Sequence, residues 1–181
     1  ESKGKEDILQ KVQKSKNSPA KELLDISLDA EEYTVTFVAN GQTVTRKALF
    51  DWSKEDNERI RYYSGTAIYK TTFPWKYKEQ KDRQVYLHLG TVYNLATVRV
   101  NGIDCGTVWT APYRADITAA LKKGTNELEI EVTNTWANAL KGTDEGKAPF
   151  EGIWTNAKYR KQENTLLPGG LLGPLYLEQS N

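Results

Sequence analysis

The sequence has one cysteine, one histidine and no methionine among its 181 residues. A single cysteine forms no disulfide within the chain, so cysteine usage does not indicate a reducing or an oxidising compartment. A structural zinc site needs about four cysteine or histidine ligands, which Cys105 and His88 cannot supply. Ser-His-Asp or Cys-His catalysis would depend wholly on His88. The composition therefore argues against zinc modules and against these nucleophilic mechanisms.

An excess of charge of one sign is also missing. The chain carries 25 basic and 24 acidic residues and a formal net charge of +1. Such a balance provides no overall field to attract phosphates, so nucleic acid is not expected as a partner. No apolar run approaches the ~20 residues of a membrane span, so a membrane is not expected either. The sequence starts at Glu1 without methionine or a signal peptide, and we expect a processed chain or part of a longer one.

Aromatic residues are plentiful by contrast, with 5 Trp and 10 Tyr. Residues 1–27 differ in composition from the rest of the chain, since charged and polar side chains dominate there. The spacing of Ile8, Leu9 and Val12 within this segment allows one short helix. We predict a linker or marginal helix over 1–27, and one globular domain over 28–181.

From residue 28 the sequence shows the alternation and the turn signals of an all-β protein. About eight strands are predicted, over 33–38, 42–48, 65–73, 84–89, 96–100, 103–109, 126–136 and 175–178. Two Asn-Gly pairs, at 40–41 and 101–102, predict type I′ hairpins. The pattern favours an antiparallel β-sandwich of the jelly-roll kind. A helical turn is expected at 118–123 and a loop of about 25 residues after Gly142.

The acidic residues do not form a convincing catalytic pair. Paired carboxylates commonly cleave glycosidic bonds, and two clusters could be read that way: Asp51, Glu55 and Asp56, and Asp144, Glu145 and Glu151. With 24 acids in the chain such clusters arise by chance, and we interpret them as solvated faces. His88 is expected to be satisfied by a neighbouring strand, and Cys105 to be a small buried side chain. We predict no catalytic residue and no metal ligand.

Three segments combine aromatic rings with side chains that can each form two hydrogen bonds to a ligand. Sugars present C–H faces between hydroxyl groups, and their sites pair a flat ring with amide or guanidinium groups. The predicted carbohydrate-binding residues are Trp109, Tyr113, Arg114, Asn134, Trp136, Asn138 and Trp154. Two other interpretations stay open. The tryptophans could pack in the sandwich core, and Arg114 could tie down a loop.

Motifs between residues 49 and 177 resemble a known family. They include Leu49-Phe50-Asp51-Trp52, Tyr62-Tyr63-Ser64-Gly65-Thr66, Val98-Arg99-Val100-Asn101-Gly102, Pro112-Tyr113-Arg114-Ala115-Asp116 and Gly124-Thr125-Asn126-Glu127-Leu128. Their order is similar to the galactose-binding-like domain of glycoside hydrolase family 2. The runs 134–138 and 170–175 are more similar to the corresponding domain of family 106 alpha-L-rhamnosidases. The sequence departs from that pattern after Asn138, where Ala139 stands in place of a frequent Arg.

The resemblance implies an accessory, non-catalytic, carbohydrate-binding β-sandwich domain of a larger bacterial glycoside hydrolase, alpha-L-rhamnosidase-like or beta-galactosidase-like. Its partners would be carbohydrate and the catalytic domain of that parent enzyme, and its location periplasmic or extracellular. Such sandwiches often keep a structural calcium, but no spaced set of acids identifies a site, and no other cofactor is expected. Two alternatives stay open: a domain that only docks on the catalytic domain, and an enzyme in its own right.

Overall fold

The computed structural model describes residues 26–28, 32–76, 83–156 and 165–180. Within these ranges lie twelve strands: β1 Ile26–Ser27, β2 Tyr33–Phe37, β3 Gln42–Arg46, β4 Thr66–Trp75, β5 Gln84–His88, β6 Thr91–Tyr93, β7 Leu95–Val100, β8 Ile103–Val108, β9 Arg114–Asp116, β10 Gly124–Thr133, β11 Gly170–Gly173 and β12 Tyr176–Ser180. Two α-helices accompany them, α1 Glu58–Arg61 and α2 Ala137–Asp144, with 3-10 turns at Trp52–Lys54 and Thr118–Ala120.

The strands form two main antiparallel sheets. The larger has the order β3-β2-β4-β10-β7-β8, the smaller has the order β1-β12-β5-β9, and β11 pairs with β6. Strand β10 shows how the core is built, since Leu128, Ile130 and Val132 are buried while alternate residues reach the outer face. Buried side chains from both main sheets form one hydrophobic core. The fold is therefore the all-β sandwich that the sequence predicts.

Buried aromatic residues connect separate parts of this core. Trp52 packs edge to face on Phe37 and Tyr63, with ring centres 5.2 and 5.7 Å apart. Its indole Nε1 donates a hydrogen bond of 2.7 Å to the hydroxyl oxygen of Tyr69. The same oxygen accepts from the backbone N–H of Leu171 at 3.2 Å. One buried phenol thus joins the 3-10 turn, β4 and β11.

The two Asn-Gly hairpins differ. Asn101 and Gly102 have φ angles of 52° and 78°, and Val100 pairs directly with Ile103, as the predicted type I′ turn requires. The prediction at 40–41 is wrong. Phe37 pairs with Gln42, so the loop contains four residues, and only its glycine has a positive φ. The side-chain oxygen of Asn40 accepts from the backbone N–H of Gln42 at 3.1 Å, which stabilises this longer loop.

Other differences from the sequence prediction concern short elements. The strands β1, β6, β9 and β11 were not predicted, and each has at most four residues. The predicted strand 126–136 ends at Thr133, and the helix α2, which was not predicted, reaches into the first two residues of the predicted loop after Gly142. Residues 1–25 of the predicted linker lie outside the described residues, whereas Ile26 and Ser27 pair with β12. Across the described ranges, no helix combines the length and the apolar character needed to cross a membrane.

Candidate functional site

One row of residues in register defines an end of the larger sheet. Phe37, Ala67, Val132, Ala96 and Val108 lie side by side on β2, β4, β10, β7 and β8. Immediately beyond this row the chain leaves the sheet at each strand. The end therefore brings together the loop at 38–41, Gly65, Asn94, Trp109 and the segment 134–136. Residues far apart in the sequence thus come together at one end of the sheet, which the sequence did not predict.

Two exposed indoles share a cavity beside this end. Trp136 is 58% exposed and Trp154 is 79% exposed. Together with Leu140, Gly152, Ile153 and Thr155 they line a cavity of about 330 Å³. The ring of Trp136 also packs edge to face on Phe150, with centres 6.2 Å apart. We call this surface the tryptophan cleft. Core packing, the alternative interpretation of these two residues, is wrong because both side chains face solvent.

Helix α2 forms one wall of the cleft and is held by contacts outside the sheets. Trp136 is the residue before its first turn, and the N–H of Ala139 donates to the Ser64 hydroxyl at 3.1 Å. Gly142 is buried against Tyr62. The Tyr62 hydroxyl donates to Glu145 Oε2 at 2.7 Å, and this hydrogen bond raises the pKa of the Tyr62 phenol. The cleft is therefore fixed by tertiary contacts of one short helix.

Asn134 and Asn138 do not face the cleft as hydrogen-bonding groups. The Asn134 amide accepts from Gly65 N–H and donates to Tyr63 C=O, both at 2.9 Å. Asn138 is 4% exposed, and its amide donates to Leu167 C=O at 2.7 Å and accepts from Leu167 N–H at 2.8 Å. Both carboxamides replace missing backbone partners in loops. These hydrogen bonds give both asparagines a structural role, and their role toward a sugar stays a prediction.

The segment 109–114 is divided by the structure. Trp109 is 72% exposed directly after β8, so it is not a core residue. Tyr113 is half-buried and packs against the hydrophobic core. Arg114 lies on β9 in the smaller sheet, where its guanidinium sits 4.6 Å above the Tyr86 ring. Of these three, Trp109 directly follows β8 of the larger sheet, whereas Arg114 begins β9 of the smaller sheet.

The acidic clusters have structural partners. Asp51 accepts from the backbone N–H of Ser53 and of Gly169, at 3.0 and 3.1 Å. Glu55 pairs with Arg46 at 2.8 Å. Over the ranges that the structure describes, no three acidic, histidine or cysteine side chains come together as metal ligands. Because calcium also binds backbone and amide oxygens, the structural calcium stays a prediction.

His88 and Cys105 are the remaining catalytic candidates. As predicted, His88 is satisfied by a neighbouring strand. Its Nε2 lies 2.5 Å from Glu178 Oε2 on β12, and its ring stacks on Tyr176. Cys105 is half-buried instead of fully buried, and burial raises the pKa of its thiol. A raised pKa keeps the thiol protonated and unreactive at neutral pH.

A wider groove of about 570 Å³ crosses the outer face of the larger sheet. Glu129 lies at its centre and pairs with Lys70 at 3.0 Å and with Arg99 at 3.1 Å. Arg99 also pairs with Glu131. Alternate glutamates of β10 thus face outward as predicted, and the charges of Glu129 and Glu131 are balanced by cations on neighbouring strands. This groove fits a solvated ion-pair ladder better than a ligand site.

Comparison with known families identifies the domain type. Residues 42–166 match the family model of the glycosyl hydrolase 2 galactose-binding domain-like domains. The match covers well over half of the chain, and the chain belongs to this family.

Two relatives show where such a domain occurs. A protein of Formosa agariphila that is named, provisionally, a β-glucuronidase is 36% identical over 174 residues, covering 81% of this chain. A rhamnosidase from Novosphingobium sp. PP1Y is also 36% identical and has a TM-score of 0.78 over 89% of this chain. The chain spans 15% of the length of each, as an accessory domain would. A β-glucuronidase from Ruminococcus gnavus, at 21% identity and a TM-score of 0.52 over 62% of this chain and 22% of its own, shares the fold.

Proposed function

We propose that this chain is a non-catalytic carbohydrate-binding domain of a larger bacterial glycoside hydrolase. The observation that carries the proposal is the tryptophan cleft, in which two exposed indoles line one cavity. Exposed indole rings leave apolar surface in water, which a bound ligand would cover, and flat rings suit the C–H face of a pyranose. Asn156, exposed and two residues after Trp154, is a carboxamide that could bind sugar hydroxyls.

The catalytic work of the parent enzyme is assigned to another domain. The chain matches a small part of each long relative, and the acids Asp51 and Glu55 are occupied in a loop hydrogen bond and an ion pair. The relatives' names support a parent that acts on rhamnosides or on glucuronides. Because such glycans are polymers outside the cell, we also assign this domain to the periplasm or the extracellular space.

Calorimetric titration of the 181-residue chain tests the binding claim. L-Rhamnose and D-glucuronic acid are the first probes, and dissociation constants in the micromolar to millimolar range are expected, since few atoms make contact. Trp136→Ala and Trp154→Ala should each weaken binding about tenfold, equivalent to roughly 1.4 kcal/mol. Ile103→Ala is the matched control, because Ile103 is also exposed and lies at the opposite end of the larger sheet.

A second function is favoured by a separate observation. Val38 and Trp109 are exposed apolar side chains outside the cleft at one end of the larger sheet, which suits a surface that only docks on the catalytic domain. The same titration separates the two functions. Absence of heat with every sugar, from a chain that is folded by circular dichroism, would leave the docking function. Incubation with aryl rhamnosides and aryl glucuronides should release no phenol, and release of phenol would contradict a non-catalytic domain.

A further inference from the structure

We propose that the binding surface continues from the tryptophan cleft along the end of the larger sheet, across Asn94 to Trp109. This inference rests on the proposed function and extends it. The ligand would be an oligosaccharide whose sugar rings bind on both sides of Asn94. A single monosaccharide would occupy only the cleft. We call the residues Trp154, Trp136, Asn94 and Trp109 the binding strip.

Strand register gives the strip its geometry. Thr133 on β10 pairs with Leu95 on β7, and Ala96 on β7 pairs with Val108 on β8. Since hydrogen-bonded strands lie ~4.8 Å apart, the ends of β10 and β8 are separated by about 10 Å. Asn94 precedes β7, the strand between them, so it stands between the segment that carries Trp136 and the segment that carries Trp109. We therefore expect each indole to contact a different sugar ring.

The Asn94 carboxamide lies in a different environment from four asparagines that hydrogen-bond inside the fold. The carboxamides of Asn101, Asn126, Asn134 and Asn138 all hydrogen-bond within the protein. The Asn94 side chain is exposed, and among the described residues it has no hydrogen-bond partner. Its backbone is nevertheless fixed, because its N–H donates to Thr133 C=O at 2.9 Å. A carboxamide on a fixed backbone, open to solvent, can donate and accept toward adjacent sugar hydroxyls.

Trp109 is likewise exposed on an anchored segment. It follows Val108, the last residue of β8, which pairs with Ala96. Four residues later the Tyr113 carbonyl accepts from Leu89 N–H at 2.8 Å. The segment is thus held at both ends while the indole is 72% exposed. Such an arrangement reduces the entropy that is lost when a ligand covers the ring.

The test is calorimetric titration with L-rhamnose and with rhamnose-containing di-, tetra- and hexasaccharides from partial hydrolysis of a rhamnogalacturonan. Affinity should rise with chain length up to the tetrasaccharide. Trp109→Ala and Asn94→Ala should each lower the tetrasaccharide affinity about tenfold toward that of the monosaccharide, while the affinity for L-rhamnose stays unchanged. Trp109→Tyr should restore most of the loss, and Ile103→Ala should change neither affinity.

Each result decides between the two claims. Equal affinities for short and long probes, or unchanged tetrasaccharide binding in the Trp109 and Asn94 variants, would overturn the strip and leave the cleft intact. Absence of heat with all probes would overturn the cleft and the strip together. Thermal unfolding of every variant checks that a change in affinity does not come from a loss of folded protein. If Trp109→Ala lowers the unfolding temperature, the Trp109→Tyr variant and Asn94→Ala carry the decision.

Discussion

The backbones of Gly90 and Gly173 touch. A Cβ built on Gly90 would lie 2.2 Å from both the carbonyl carbon and the carbonyl oxygen of Gly173. The two residues also form an isolated parallel bridge, although the sheets are otherwise antiparallel. This contact joins the end of β5 to the end of β11, and no side chain can be accommodated between them.

Gly90→Ala should therefore be among the most destabilising single substitutions in the chain. We expect a loss of at least about 4 kcal/mol in the free energy of unfolding, because backbone atoms must move to admit the methyl group. Gly41→Ala is the matched control, since φ is +62° at Gly90 and +68° at Gly41, where nothing lies within 4 Å of the added Cβ. The control should lose only the ~1–2 kcal/mol of left-handed backbone strain. Urea denaturation compares the two, and equal losses would contradict the clash.

Gly142→Ala should loosen the wall of the tryptophan cleft. The added Cβ would lie 2.9 Å from Tyr62 Cβ and 3.0 Å from the Lys147 carbonyl oxygen. Alanine favours a helix, but overpacking a filled site costs about 1–3 kcal/mol and outweighs that gain. Thr143→Ala, at an exposed position of the same helix, should change stability little. Urea denaturation and sugar titration are the measurements, and a Gly142→Ala variant as stable as Thr143→Ala would refute the close packing.

Tyr69→Phe should destabilise the core because it removes a buried hydrogen-bond acceptor. The Tyr69 oxygen accepts from Trp52 Nε1 and from Leu171 N–H, and both donors would stay buried without it. Each buried donor left unpaired costs about 1–3 kcal/mol. Tyr86→Phe is a suitable control, since Tyr86 donates only to Gln84 on the outer face of the smaller sheet. Thermal unfolding should separate the two variants clearly, and similar melting temperatures would show that the Tyr69 hydroxyl is dispensable.

Stability should fall at alkaline pH. The hydrogen bond to Glu145 and then burial raise the pKa of Tyr62 above the ~10 usual for tyrosine, and burial raises the pKa values of Tyr63 and Tyr69. Above about pH 10 the unfolded phenols lose protons first, so the unfolded state binds fewer protons and unfolding becomes easier as pH rises. Below pH 10 these three tyrosines should not make the free energy of unfolding depend on pH. Denaturant midpoints between pH 8 and 12 measure it, with Tyr62→Phe expected to flatten the curve, and a flat wild-type curve would contradict the shifts.

Asn138→Asp should weaken the fold. The carboxylate could still accept from Leu167 N–H, but it would face the Leu167 carbonyl without a proton to donate. A cost of about 1–3 kcal/mol is expected for this buried mismatch. Asn156→Asp makes the same change at an exposed carboxamide and should leave the urea midpoint unchanged. Should both variants prove equally stable, the structural assignment of Asn138 would fail.

Local sequence patterns predicted the elements that depend on local physics. The alternation of Leu128, Ile130 and Val132 with glutamates predicted β10 and its buried face, because side chains alternate along a strand. The Asn101-Gly102 pair predicted its turn, because both residues tolerate positive φ. The exposed positions of the tryptophans were one of two interpretations that the sequence left open.

The misses depend on contacts far along the chain. Helix α2 contains Asn, Gly and Thr, which are weak helix formers, and it is fixed by tertiary contacts such as Ser64 with Ala139. Asn134 and Asn138 have the residue type of sugar ligands, yet their partners are backbone groups at Tyr63, Gly65 and Leu167. Neither periodicity nor motif spacing reveals such pairings. Asn94 was missed because only strand register places it between the segments that follow β10 and β8.

Helix α2 is attached to the sandwich differently from the strands. This helix belongs to neither sheet, and it is joined to the sandwich by a few side-chain contacts, among them Tyr62 with Glu145 and Asn138 with Leu167. Segments held in this way form separate cooperative units that open without global unfolding. The α2 amides are therefore expected to exchange with solvent sooner than the β-sheet amides, and a ligand seated in the cleft should slow the exchange of α2.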